Sequence, residues 1–209
     1  MIPSSAQEIK QYAQKLSFSK EFHLDLVDGI FVPKKSWPYE PLGEAIEVKT
    51  VLDSFTLEVD LMVADPVRAA QQWIKAGADM LVFHVETISL TEFEEFTQRC
   101  SVSVGISMHG DTTMEVFAEY LPFADYVQLM GIHQIGAQGQ AFDEAVLEKI
   151  AIIKRLRPNV SITVDGSVNK DTIQKIAKAG ADRFIAGSAV VLQTDPEAAH
   201  AELKALINV

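Results

Sequence analysis

Cysteine is almost absent. Cys100 stands alone in 209 residues, which excludes an internal disulfide and a thiolate zinc cluster and fits a reducing compartment. By itself it reads as a small buried hydrophobe. Long apolar runs are missing too, since none approaches the roughly 18 residues that a membrane span needs. The opening MIPSSAQEIKQ has neither the basic start nor the apolar stretch of a signal peptide, so a cytoplasmic chain with no membrane partner is expected. Positive charge is scarce: 18 Lys and Arg face 29 Asp and Glu, for a formal net charge of −11. That balance argues against nucleic acid as a partner but leaves room for a local patch that holds one phosphate. Linkers, low-complexity tracts and charge blocks are not found either.

With 48% hydrophobic and 22% charged residues, the chain has the balance of one domain over 1–209 with a substantial core. Short apolar runs rich in strand formers alternate with amphipathic helical stretches, the rhythm of a parallel α/β protein. Strands are expected near 21–26, 55–61, 79–84, 102–107, 125–130, 160–165 and 182–187. Between them fall helices such as 66–76, 112–120, 142–156 and 169–179. Gly77-Ala78-Asp79 and Gly180-Ala181-Asp182 each end a helix and start a strand, because glycine accepts the left-handed conformation after a last helical turn. They mark equivalent points in repeated units.

The fold class expected is a (β/α)8 TIM barrel whose first strand is short or missing. Met1-Ile2-Pro3 leaves too little chain before a helix near 5–16 for the strand that an eight-stranded barrel needs. Either the barrel opens with a very short element or residues that belong upstream are absent from this sequence; the second is the expectation.

Strand alternation decides which side chains meet. In EFHLDLVDG, Phe22, Leu24 and Leu26 share one face and His23 and Asp25 the other. In TLEVDLMV, Leu57, Val59 and Leu61 oppose Glu58, Asp60 and Met62, and in SITVDGS, Ile162 and Val164 point away from Asp165. If the apolar faces meet the helices, His23, Asp25, Asp60 and Asp165 point inward at the carboxyl ends of their strands, where barrel active sites lie. Three carboxylates and an imidazole in one confined mouth repel one another and lose hydration. A divalent metal is the economical remedy. The bland alternative is that Asp25 or Asp60 caps a helix or pairs with a lysine.

The ordered series HLDLVDGIFVP, LEVDLMVADP, LVFHVET, ITVDGSVN and AGSAV, over about residues 21–200, resembles the strand-end motifs of the ribulose-phosphate 3-epimerase family. The resemblance implies metal-assisted conversion of ribulose 5-phosphate to xylulose 5-phosphate. A proton leaves the carbon beside the ketone and returns on the other face. It implies Asp25 and Asp165 as the two acid/base residues and as metal ligands, with His23 a further ligand. The family's fourth ligand is a histidine where this chain has Asp60. Three carboxylates would favour magnesium or manganese over zinc, with iron also open, or would keep one carboxyl protonated. Alternatively Asp60 reaches the metal through water, or no metal binds. His84, His109 and His133 read as substrate contacts or satisfied polar residues rather than replacement ligands.

The resemblance also implies a phosphate site at Gly166-Ser167 and Gly187-Ser188, where glycine lets backbone N–H groups approach an anion. Ser167 replaces a usual second glycine. After the sixth barrel strand, MGIHQIGAQGQAF departs from the family's proline- and glycine-rich loop. Gly136, Gly139 and Gln140 are expected to serve the substrate there, while His133, Gln134 and Gln138 alter which hydroxyls are recognised. Met62 and Met130 match residues lining the site, and Val27 stands where another methionine is usual. Trp37, in KKSWPYEP, reads as an exposed lid residue or as a cover for the barrel rim. Two other readings stay open: a hexulose-phosphate synthase-like aldolase, although its lysine-bearing acidic motif is not seen around Glu58 to Met62, and a non-catalytic sugar-phosphate binding barrel. Family members commonly assemble, so a homo-oligomer is expected.

Overall fold

Strands form where apolar and polar residues alternate, and the computed structural model, which describes residues 1–136 and 139–207, contains seven of them. They are β1 Glu21–Val27, β2 Thr56–Met62, β3 Met80–His84, β4 Ser103–Ser107, β5 Tyr126–Met130, β6 Ser161–Asp165 and β7 Arg183–Ile185. The helices are α1 Ala6–Lys15, α2 Lys49–Leu52, α3 Pro66–Lys75, α4 Leu90–Arg99, α5 Met114–Tyr120, α6 Ala145–Leu156, α7 Ile173–Ala179, α8 Ser188–Val191 and α9 Pro196–Ile207. The sheet runs in chain order from β1 to β7. This is the connectivity of a TIM-type (β/α)8 barrel that lacks one strand. No described residue before α1 forms a strand; instead the Asp25 N–H donates to the Met1 carbonyl at 2.8 Å and the Trp37 N–H to the Pro3 carbonyl at 2.9 Å. No helix among the described residues is long and apolar enough to cross a membrane.

The chain divides into two compact units, Met1–Gly105 and Ile106–Val209. In the first, Leu24, Leu26, Leu57, Leu61 and Leu81 are buried, as are Trp73 of α3 and Phe93 of α4. Each such side chain contributes roughly 1.5–3 kcal/mol of apolar burial. Helix starts there are set by their caps. Asp65 accepts from the Arg68 N–H ahead of Pro66, and Ser89 and Glu92 form a reciprocal capping box for α4. Trp37 does not lie exposed as a lid. It is 2% exposed and meets the Trp73 ring edge-on at 6.2 Å.

In the second unit Phe117, Val127, Ile150, Ile153, Ile162, Val164 and Ile176 form the buried set. The two Gly-Ala-Asp turns are equivalent in detail, each within its own unit. Gly77 and Gly180 have φ of 100° and 111°. The Asp79 and Asp182 N–H groups donate to the carbonyls of Leu57 and Ile162, at 2.9 and 2.8 Å. Their carboxylates accept back from the N–H of those same residues, both at 2.8 Å. Each turn is thereby locked to the second residue of the preceding strand.

Candidate active site

Parallel pairing of β1 with β2 sets His23 opposite Glu58, Asp25 opposite Asp60 and Val27 opposite Met62. All six belong to the face away from the leucines. His23 is held on both sides: Nδ1 lies 2.8 Å from Glu58 Oε2, and Nε2 lies 3.0 Å from Asp25 Oδ1. The other oxygen of Asp25 pairs with the Met1 ammonium. Asp60 is fully buried and its Oδ1 lies 2.8 Å from Nε2 of the equally buried His84. His84 in turn is tilted against the Phe31 ring at 5.3 Å. The Nε2 of His84 is engaged by Asp60 inside the protein.

The electrostatics follow from these contacts. Burial alone would lower the pKa of His23, but the Asp25 and Glu58 carboxylates overcome it and raise it to about 10. Burial pushes the Asp25 carboxyl up; the Met1 ammonium and His23 outweigh that and hold it well below the usual carboxylate range. His23 is thereby favoured in its charged form around neutral pH.

Whether a divalent cation fits is answered by the donors. One ligand atom from each of His23, Asp25 and Asp60 lies within 4.8 Å of the others, while Asp25 is 8% and Asp60 0% exposed. Carboxylates so far from water are costly without a cation nearby. Imidazole nitrogen and carboxylate oxygen are ordinary ligands of divalent ions. The residues fit the group.

In the second unit Asp165 closes β6, half-buried, with Met130 at the end of β5 as its register partner. The Gly131 N–H donates to the Asp165 carbonyl at 2.7 Å. A Cβ at Gly131 would strike the Gly166 carbonyl oxygen, and one at Gly166, which has φ of 96°, would meet Ile132 at 2.8 Å. Glycine is required at both positions by close approach. Ser167 follows with φ of 52°, the left-handed region usually left to glycine. Its hydroxyl donates to the Gln140 carbonyl at 2.6 Å, and its carbonyl accepts from Thr172 Oγ1 at 2.6 Å and Asn169 Nδ2 at 3.1 Å.

That serine fastens the loop between β5 and α6. Gln140 is bonded through both atoms of its amide to the Gln134 backbone, with the Gln134 N–H at 3.1 Å from Oε1. Gly136 and Gly139 both have φ of 77°. Gln138 lies outside the described residues. Gly187, just before Ser188 and α8, has nothing within 4 Å of where a Cβ would stand, and the same holds for Gly139. His109 and His133 turn to Asp111, at 3.7 and 3.5 Å. What the sequence reading left without a role is Glu58, although alternation already placed it on the face of Asp60.

Acidic and imidazole side chains on one face of chain-ordered parallel strands, with glycines after the last ones, are the arrangement of a (β/α)-barrel enzyme. The model of the Ribulose-phosphate 3 epimerase family matches residues 3–191, and the chain belongs to that family. The ribulose-phosphate 3-epimerase of Bacillus subtilis (strain 168) is 34% identical over 188 residues, 87% of this chain and 84% of that protein. That of Aquifex aeolicus (strain VF5) is 30% identical over 190 residues, 88% of this chain and 83% of the other. These relatives are epimerases, hence isomerases. The crystal structure of 3-hexulose-6-phosphate synthase from Salmonella typhimurium is similar with a TM-score of 0.72 at 14% identity, covering 100% of this chain and 96% of that one. At that identity the likeness shows the fold.

Proposed function

We propose that this chain is a metal-dependent epimerase that inverts the carbon next to the ketone of a ketose phosphate, converting D-ribulose 5-phosphate to D-xylulose 5-phosphate. The observation that carries this reading is the pair His23 and Asp25 with Asp60 beside it, largely buried donors on β1 and β2 where the family motifs put the ligands. The proposed donor set is His23, Asp25, Asp60 and Asp165, with Asp60 at the position where the family has a histidine. Three carboxylates favour magnesium or manganese over zinc.

A cation held there would supply positive charge against the negative charge that develops on the substrate oxygens when the proton leaves. Asp25 and Asp165 are the two bases. One accepts the proton from one face of that carbon and the other returns a proton to the opposite face, so the carbon is inverted and no co-reactant is consumed. Met62 and Met130, both buried, pack against the flattened carbon chain and keep water from it. Gly166, Ser167, Gly187 and Ser188 take the phosphate on backbone N–H groups, and Gly136 and Gly139 let the β5–α6 loop approach the sugar. The same reading covers one barrel domain over 1–209, a cytoplasmic location and a homo-oligomer. The single cysteine supports the location.

Incubation with D-ribulose 5-phosphate in D2O tests the reaction class. Deuterium at the carbon beside the ketone together with xylulose 5-phosphate supports the epimerase. Deuterium uptake accompanied by consumption of added formaldehyde points to the aldolase instead. No exchange at all points to a binding barrel.

A further inference from the structure

Glu58 belongs to neither the expected ligands nor the expected bases, yet it is only 2% exposed and its Oε2 lies 2.8 Å from His23 Nδ1. A carboxylate is costly to bury, so its placement on β2 directly opposite His23 in register calls for a role that its charge performs. An imidazole has two nitrogens, and a hydrogen bond at one decides what the other presents. With Nδ1–H held by Glu58, the ring plane is set so that Nε2 points at Asp25, whose Oδ1 is 3.0 Å away, and a cation bound there would take the place of the Nε2 proton.

We propose that Glu58 is the positioning residue of the metal site: it fixes His23 as an Nε2 ligand and raises the donor strength of that nitrogen through a carboxylate–histidine–metal relay. The inference rests on the metal reading above. Such outer partners are typically worth 10–100-fold in metal affinity. Glu58 touches neither substrate nor reacting atoms on this account. Its influence on the metal passes through His23.

The test uses the full chain stripped of metal by chelation and titrated with Mn2+, free Mn2+ being read by electron paramagnetic resonance. Glu58→Leu, which removes the acceptor, is expected to weaken Mn2+ binding about 100-fold, and Glu58→Gln, which keeps an acceptor without charge, about tenfold. In the Mg2+-saturated protein with 15N-labelled histidine, His23 should appear as a single Nδ1–H tautomer in the wild type and as a mixture in Glu58→Leu. A double-mutant cycle separates positioning from support of the fold. In a His23→Gln background the loss caused by Glu58→Gln should vanish.

Wild-type Mn2+ affinity in Glu58→Gln, or a loss that persists in full without His23, would overturn the proposal. Either result decides the matter even if Glu58→Leu does not fold. Failure of the underlying reading looks different: the wild-type protein itself would then take up no divalent cation.

Discussion

Asp60 Oδ1 accepts a hydrogen bond from His84 Nε2 at 2.8 Å, and neither side chain reaches solvent. One oxygen of Asp60 is thereby committed to the protein, so Asp60 offers a cation at most its other oxygen along an undisturbed direction. Replacing His84 by leucine removes a partner of a buried carboxylate, which costs roughly 3 kcal/mol. Urea unfolding of metal-free His84→Leu against wild type should show a loss of that order. A midpoint unchanged from wild type would mean that the pair contributes nothing to the fold.

Asp60 also stands where the family has a histidine. Asp60→His removes one negative charge from the donor set and puts a softer nitrogen in its place. The substitution should shift metal preference toward zinc, with the ratio of zinc to magnesium affinity rising on the order of tenfold or more. Competition titrations on stripped protein measure it. An unchanged ratio would show that Asp60 does not reach the ion.

The pH dependence follows from His23. Its pKa is raised from 6.5 to about 10 in the folded protein by Asp25 and Glu58, so its contribution to the stability of the metal-free protein is full below about 6.5 and is lost as pH rises toward 10. Asp25 acts in the opposite direction. Its depressed pKa stabilises the fold above the ordinary 3.8 and the contribution is lost as pH falls below it. Metal-free protein should therefore become easier to unfold between pH 7 and 10. Because a cation replaces the proton on Nε2, Mn2+ affinity should rise about tenfold per pH unit across the same window. Calorimetry in buffers of different ionisation enthalpy would report one proton released per ion bound.

Two glycines separate folding from phosphate binding. Gly131→Ala drives a Cβ into the Gly166 carbonyl and should cost roughly 1–3 kcal/mol of stability. Gly187→Ala meets no protein atom within 4 Å, so its melting temperature should match wild type. It should nevertheless bind inorganic phosphate on the order of tenfold more weakly, because the methyl group crowds the anion away from a charge-assisted N–H contact. Equal phosphate affinity in Gly187→Ala would remove this glycine from the proposed site.

Alternation made most of the fold legible. All seven strands fall within a residue or two of where period-two patterning expects them, because each carries an unbroken apolar face such as Phe22, Leu24 and Leu26. The Gly-Ala-Asp turns were legible for a similar reason, since glycine at positive φ has few substitutes. The partners of the site residues were not. Glu58 and His84 are ordinary strand residues until the register sets Glu58 opposite His23 and brings the His84 ring to Asp60. Pairing register is a property of two strands, and neither strand's own pattern contains it. Trp37 misled for a different reason. Lysines and a Pro-Tyr-Glu-Pro stretch surround it, yet the indole sinks against Trp73 and crowds Gly43 so closely that a Cβ there would clash.

In the proposed reading, His23, Asp25, Asp60 and Asp165 hold a cation that serves two carboxylate bases. The most direct measurement is epimerisation of D-ribulose 5-phosphate by stripped protein after separate addition of magnesium, manganese, zinc and iron, with Asp165→Asn alongside. Turnover should require added metal, be highest with magnesium or manganese, and fall at least about 1,000-fold in the variant while its circular dichroism is unchanged. Wild-type turnover in the stripped protein, or a folded Asp165→Asn variant as active as wild type, would contradict it.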